Sequence, residues 1–287
     1  MRRASRGARI GEYMTVTNAV ETTMIWGTVS GASMVGMVIS LLLSVVLPIF
    51  LGIFIYKKTK AWVPAFFIGC GIFVGFAMIL EQICHAIVLT VTGSAIRDNI
   101  WLYAIYGGLA AALFEECGRW IAMTFCLKKH LTRENALMYG AGHGGIEAFL
   151  ILGMSSMSNL LTAAMINGGL MEKTMTALEP AQQEVTYHQL SVLWTTPAYQ
   201  FYLAPVERIS AIALQIALSI LVYSAVKTGR KLHLAAAFGL HFAVDFLTVI
   251  CAAAIPTWAL ELGLLLVVAV ICVVVYQLVY VQMAEKK

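Results

Sequence analysis

Residues 101–127 read WLYAIYGGLAAALFEECGRWIAMTFCL, a run long enough to cross a bilayer as a helix, yet with Glu115, Glu116 and Arg119 inside it. Charged groups in hydrocarbon cost several kcal/mol unless they find partners, so they face a bundle interior or a wet cavity. Four further apolar stretches repeat the pattern, with Glu81 and His85, His143 and Glu147, Glu207 and Arg208, and His241 and Asp245. Four of the five sets contain an i, i+4 spacing, which stacks both side chains on one helical face. The chain therefore reads as a polar chamber built inside a membrane.

Working outward, the 287 residues are 60% hydrophobic and 12% charged, with a mean hydropathy of +0.84. This is the composition of an all-α, polytopic transmembrane bundle. The formal charge of +4 is scattered in short basic clusters, which act as topology signals and give no stripe for nucleic acid. The six cysteines all fall within expected spans, without a CxxC, so neither a disulfide scaffold nor a zinc ribbon is expected.

Seven spans are expected, near residues 35–56, 62–91, 101–127, 136–160, 203–226, 233–253 and 258–281. Lys57, Lys58 and Lys60, then Lys128, Lys129 and Arg133, then Arg230 and Lys231, then Lys286 and Lys287 occupy alternate connections, giving N-out and C-in. Trp62, Trp101, Trp194 and Trp258 sit at or near the expected interfaces. Arg2, Arg3, Arg6 and Arg9 run against that orientation and are assigned to an N-terminal tail, residues 1–33, with Met14 as an alternative start. The apolar run after them is too long for a cleaved signal and is read as a retained helix. Residues 34–283 form one transmembrane domain, whose polar stretch at about 161–200 is the expected outer loop, a lid or docking segment.

At a rise of about 1.5 Å per residue, His143 and Glu147 lie about 11 and 17 Å from the inner end of their span, and His241 and Asp245 about 12 and 18 Å from theirs. Glu115 and Glu116 lie about 21 Å from the outer end of a span running the other way, so three helices meet at one depth. Two imidazoles, each with a carboxylate one turn on, are donors that Zn²⁺ and similar divalent ions accept; His143, Glu147, His241 and Asp245 are the candidate ligands. Of Glu115 and Glu116, one can ligate while the other moves a proton, and Arg119 can pair with either. Glu81, His85, Glu207 and Arg208 form a shallower layer, lining an entrance or tying helices together.

The run Phe114-Glu115-Glu116-Cys117-Gly118-Arg119-Trp120, then Gly142-His143-Gly144-Gly145-Ile146-Glu147, then His241-Phe242-Ala243-Val244-Asp245 resembles the YhfC-type intramembrane metalloproteases. More distantly it resembles the CAAX-protease and bacteriocin-processing superfamily. The resemblance covers about residues 60–250. It implies hydrolysis of a peptide bond in or near the bilayer, with Glu115 or Glu116 activating water and His143 and His241 holding a metal, expected to be zinc, or polarising the carbonyl. The fifth span departs from the pattern: a histidine is expected one helical repeat after Glu207-Arg208, and Gln215 stands there.

The leading reading is a membrane endopeptidase acting on a membrane-associated or transmembrane peptide. A non-enzymatic scaffold or partner subunit is the alternative that Gln215 favours. An ion-coupled transporter uses similar residues but brings repeats and broken helices, which the sequence lacks.

Overall fold

The computed structural model describes residues 24–283 and is helical, with no strand among them. Seven helices are long and apolar enough to cross a membrane, in the expected order. They are α1 (Gly31–Thr59), α2 (Pro64–Thr92), α3 (Ile100–Cys126), α4 (Arg133–Asn167), α7 (Ala198–Thr228), α8 (Lys231–Ala252) and α9 (Thr257–Tyr280). Between α4 and α7 lie two shorter helices, α5 (Leu170–Met175) and α6 (Pro180–Thr195). The protein is a multi-pass membrane protein. Arg2, Arg3, Arg6, Arg9, Met14, Lys286 and Lys287 lie outside the described residues.

Local chemistry sets the helix ends. The Ser30 hydroxyl accepts from the Ser33 amide at 3.0 Å to open α1, Asn99 accepts from Trp101 and Leu102 to open α3, and Thr132 accepts from Asn135 to open α4. Pro64 stands in the first turn of α2, where its missing N–H is no loss.

Helix α7 is the central staff. Most of its apolar stretch, 72%, is buried inside the protein, against 11–33% for the other six spans, whose outer faces are left to lipid. Helix α4 packs on it through glycines, because in a bilayer close van der Waals approach drives association. A Cβ on Gly144 would lie 3.0 Å from the Ile212 Cα, while on the opposite face a Cβ on Gly142 would run into the Phe66 carbonyl of α2. The same glycine-rich turn carries His143, so the residues that bring three helices together also fix that imidazole.

One end of the bundle is basic. There Trp62 stacks on His130 at 4.1 Å, Lys227 donates to the Leu131 carbonyl and Arg133 donates to the Tyr280 carbonyl. The other end is a cap. The expected loop at 161–200 is mostly helical: α4 continues to Asn167, and α6 then crosses back over residues 24–30. Asn167 accepts from the Val29 amide at 2.8 Å and donates to its carbonyl at 3.0 Å, while Trp26 packs on Tyr187 and Trp194. Trp194 is therefore a cap residue. The polar sequence of this stretch suggested a loop because α6 has little apolar face to read.

π-Helical turns interrupt α2 at Val74–Glu81, α3 at Ala122–Cys126 and α4 at Phe149–Gly153. The α3 and α4 turns begin just after Arg119 and Glu147, and the α2 turn ends on Glu81. Such turns commonly sit at functional positions.

Candidate active site

Helices α3, α4, α7 and α8 bring Glu115, Glu116, Arg119, His143, Glu147, Gln215 and His241 into one buried cluster. Arg119 and His143 are fully inaccessible. The hub is the Glu115 carboxylate. Its Oε2 lies 2.9 Å from His143 Nε2, receives an N–H from Gln215 Nε2 at 2.8 Å and stands 4.0 Å from His241 Nε2. The other hydrogen of the Gln215 amide goes to Glu147 Oε2, also at 2.8 Å.

Glu116 has a different environment. Its Oε1 accepts from Arg119 Nη1 at 2.7 Å and meets His241 Nδ1 at 2.8 Å. An ionised carboxylate only accepts, so His241 donates from Nδ1 to Glu116, and its Nε2 faces Glu115 and Asp245, the latter 3.5 Å away. Of the two candidate partners for Arg119, Glu116 is the one observed. The other end of the guanidinium donates from Nη2 to Gln215 Oε1. That contact fixes the amide, because oxygen must face arginine and nitrogen must face the two carboxylates.

A cavity of about 360 Å³ opens beside this cluster, between α3, α4, α7, α8 and α9. Glu115, Glu147, Gln215, His241 and Asp245 line it, whereas Glu116, Arg119 and His143 stand behind its wall. Glu207 and Arg208 line the same cavity. Arg208 is bidentate on Glu207 and reaches Glu147 Oε1 from Nη1 at 3.1 Å, which ties the shallower layer to the deeper one. Glu81 and His85 form their own pair at 3.2 Å, and His85 Nδ1 meets the Tyr106 hydroxyl at 2.7 Å. They do not line the cavity, although Glu81 is in electrostatic reach of Glu115, His241 and Asp245.

The donor set suits a divalent ion. Among the described residues, Glu115, His143 and Glu147 each offer one ligand atom within 4.8 Å of the others. One imidazole nitrogen and two carboxylate oxygens are the right chemistry, and the outward-turned His241 Nε2 adds a further donor beside them. This grouping differs from the expected ligands: Glu115 joins it, and Asp245 lies farther out, its side chain 37% exposed.

Two participants escaped the sequence reading. Gln215 stood out only as a departure, although it lies two turns beyond Arg208 on α7 and so shares its face. Glu261 on α9 was passed over. It is a lone acid in an apolar run, buried to 8% exposure, with Oε2 lacking any hydrogen-bond partner.

The sequence matches the family described as YhfC intramembrane metalloprotease over residues 43–272. The chain belongs to that family. It is also similar to the "Uncharacterized membrane protein YhfC" of Bacillus subtilis (strain 168), 41% identical over 222 residues, or 74% of this chain and 83% of the relative. No solved structure matches. The matched span takes in every residue of the buried cluster and its cavity, from Glu115 to Asp245 and on to Val268.

Proposed function

We propose that the protein is a metal-dependent endopeptidase that cleaves a membrane-associated or transmembrane peptide, working with its basic end toward the cytoplasm. One observation carries this reading: three ligand-capable side chains converge deep in the bundle, and two of them, Glu115 and Glu147, face a cavity. The family description points the same way.

Glu115, His143 and Glu147, with His241 beside them, would hold the ion. When bound, a zinc-like ion supplies a Lewis acid that polarises a carbonyl and acidifies water. The protein's own residues do the rest. Oε2 of Glu115 is held by His143 and Gln215, which leaves its Oε1 as the proton acceptor. A water attacks the scissile carbonyl carbon, its proton passes to Glu115, and Glu115 returns that proton to the nitrogen as the C–N bond breaks. Glu116 does not reach the cavity. It holds His241, and Arg119 keeps Glu116 and Gln215 in place, so these two are positioning residues. The surrounding helices exclude bulk water, which strengthens each of these interactions.

The test is metal analysis of the detergent-purified full chain together with cleavage of membrane peptides. Stoichiometric metal that falls on both His143→Ala and Glu147→Gln, with turnover lost in Glu115→Gln, is the expected result. Undiminished cleavage in Glu115→Gln removes the mechanism.

A further inference from the structure

The mouth of the cavity has more acid than base. Among the described residues Arg208 is the one arginine or lysine lining it, and each of its nitrogens already donates: Nε and Nη2 to Glu207, Nη1 to Glu147. Two other carboxylates stand near it. Asp245 lines the cavity with its side chain partly open and pairs with His241. Glu261 is more than nine-tenths buried, and among the described residues its Oε2 has no donor.

Glu261 does not itself line the cavity but stands next to residues that do. Leu264 and Val268, three and seven residues on, line the cavity, and this spacing places Glu261 on the same face of α9, one turn nearer the cap. It is in electrostatic reach of Glu207 and Arg208, and Asp245 is in reach of the same pair. One guanidinium thus serves Glu147, Glu207 and Glu261, with Asp245 beside them. A buried carboxylate oxygen without a donor is costly, and an arriving ammonium or guanidinium would satisfy it. Part of the cavity wall is apolar, through Ile151, Val244, Leu264 and Val268, beside the polar residues already named. An apolar wall beside an acidic rim is complementary to a peptide with an apolar segment and a basic side chain at its end.

We infer that Glu261, Glu207 and Asp245 form a subsite for a lysine or arginine side chain of the substrate, on the cap side of the scissile bond. This rests on the endopeptidase reading and names its substrate class. The subsite selects against acidic residues by like-charge repulsion.

The experiment uses the full-length protein in proteoliposomes and a set of transmembrane peptides that differ at one juxtamembrane position scanned along the chain, carrying lysine, norleucine or glutamate. At one register lysine should raise kcat/KM over norleucine by about ten-fold, and glutamate should lower it. In Glu261→Gln that lysine-to-norleucine ratio should fall to within about two-fold, and in Glu261→Lys the preference should pass to glutamate. Glu207→Gln is the second probe should Glu261→Gln fail to fold, as judged by gel filtration. A ratio near one at every register in the wild type overturns the subsite while leaving proteolysis standing. So does a loss of one bound metal in Glu261→Gln, which would make the mouth a second cation site. If no peptide is cut, the endopeptidase reading fails, and photo-crosslinking of lysine against norleucine peptides to α9 still decides the subsite: equal yields overturn it.

Discussion

Glu115 and Glu116 are adjacent in sequence and equal in chemistry, and the fold gives them different work. One faces the cavity; the other is sealed behind it with Arg119 and His241. Glu115→Gln should lower turnover by about 10²-fold or more, the range for losing a general base. Glu116→Gln, which loosens the hold on His241, should weaken metal affinity by about 10–100-fold and leave residual turnover at saturating metal, where Glu115→Gln stays inactive; turnover against metal concentration separates the two. Gln215→Ala leaves Arg119 Nη2 unpaired and removes a donor from both Glu115 and Glu147. It should destabilise the bundle by about 1–3 kcal/mol, visible as a lower Tm in detergent. The sequence made Glu115, His143 and His241 legible because a titratable group in an apolar run is conspicuous. Gln215 was not conspicuous, since a neutral amide costs less in a helix interior and its role depends on Arg119 from another helix. Nor could adjacency reveal which glutamate turned to the cavity, because that choice is set by the phase of α3 against α7 and α8.

Among the elements, α4 shows how packing and chemistry share residues. Its glycines admit α2 on one face and α7 on the other, and His143 rides between them. Gly142→Ala forces a methyl against the Phe66 carbonyl and should cost about 1–3 kcal/mol, with loss of metal binding as His143 shifts. Gly239→Ala on α8 meets nothing within 4 Å and should leave Tm unchanged or slightly raised. Seven spans were legible from apolar length alone, as Gly31–Thr59 and Thr257–Tyr280 illustrate. The helices of the cap were not. Residues 180–195 carry no apolar stripe, and their docking on residues 24–30 comes from Trp26, Tyr187 and Asn167, long-range contacts that a local reading does not see.

For the molecule as a whole, the basic connections collect at one end and the helical cap at the other. The positive-inside rule predicts Lys58 in the cytoplasm and Thr176 outside. In a variant lacking the six native cysteines, a membrane-impermeant maleimide added to intact cells should label Thr176→Cys but not Lys58→Cys; the reverse pattern would invert the bundle. The π-helical turn at Phe149–Gly153 has its own meaning at this scale. A turn with one surplus residue rotates everything beyond it by about 100° relative to an unbroken helix. Before it, α4 carries His143 and Glu147 into the buried cluster; after it, the helix aims Ala163 and Ile166 at the cap cluster and offers Asn167 to Val29. One continuous rod thus has two independent phases, and removing a single residue between 149 and 153 would unseat the cap while leaving the ligands where they are.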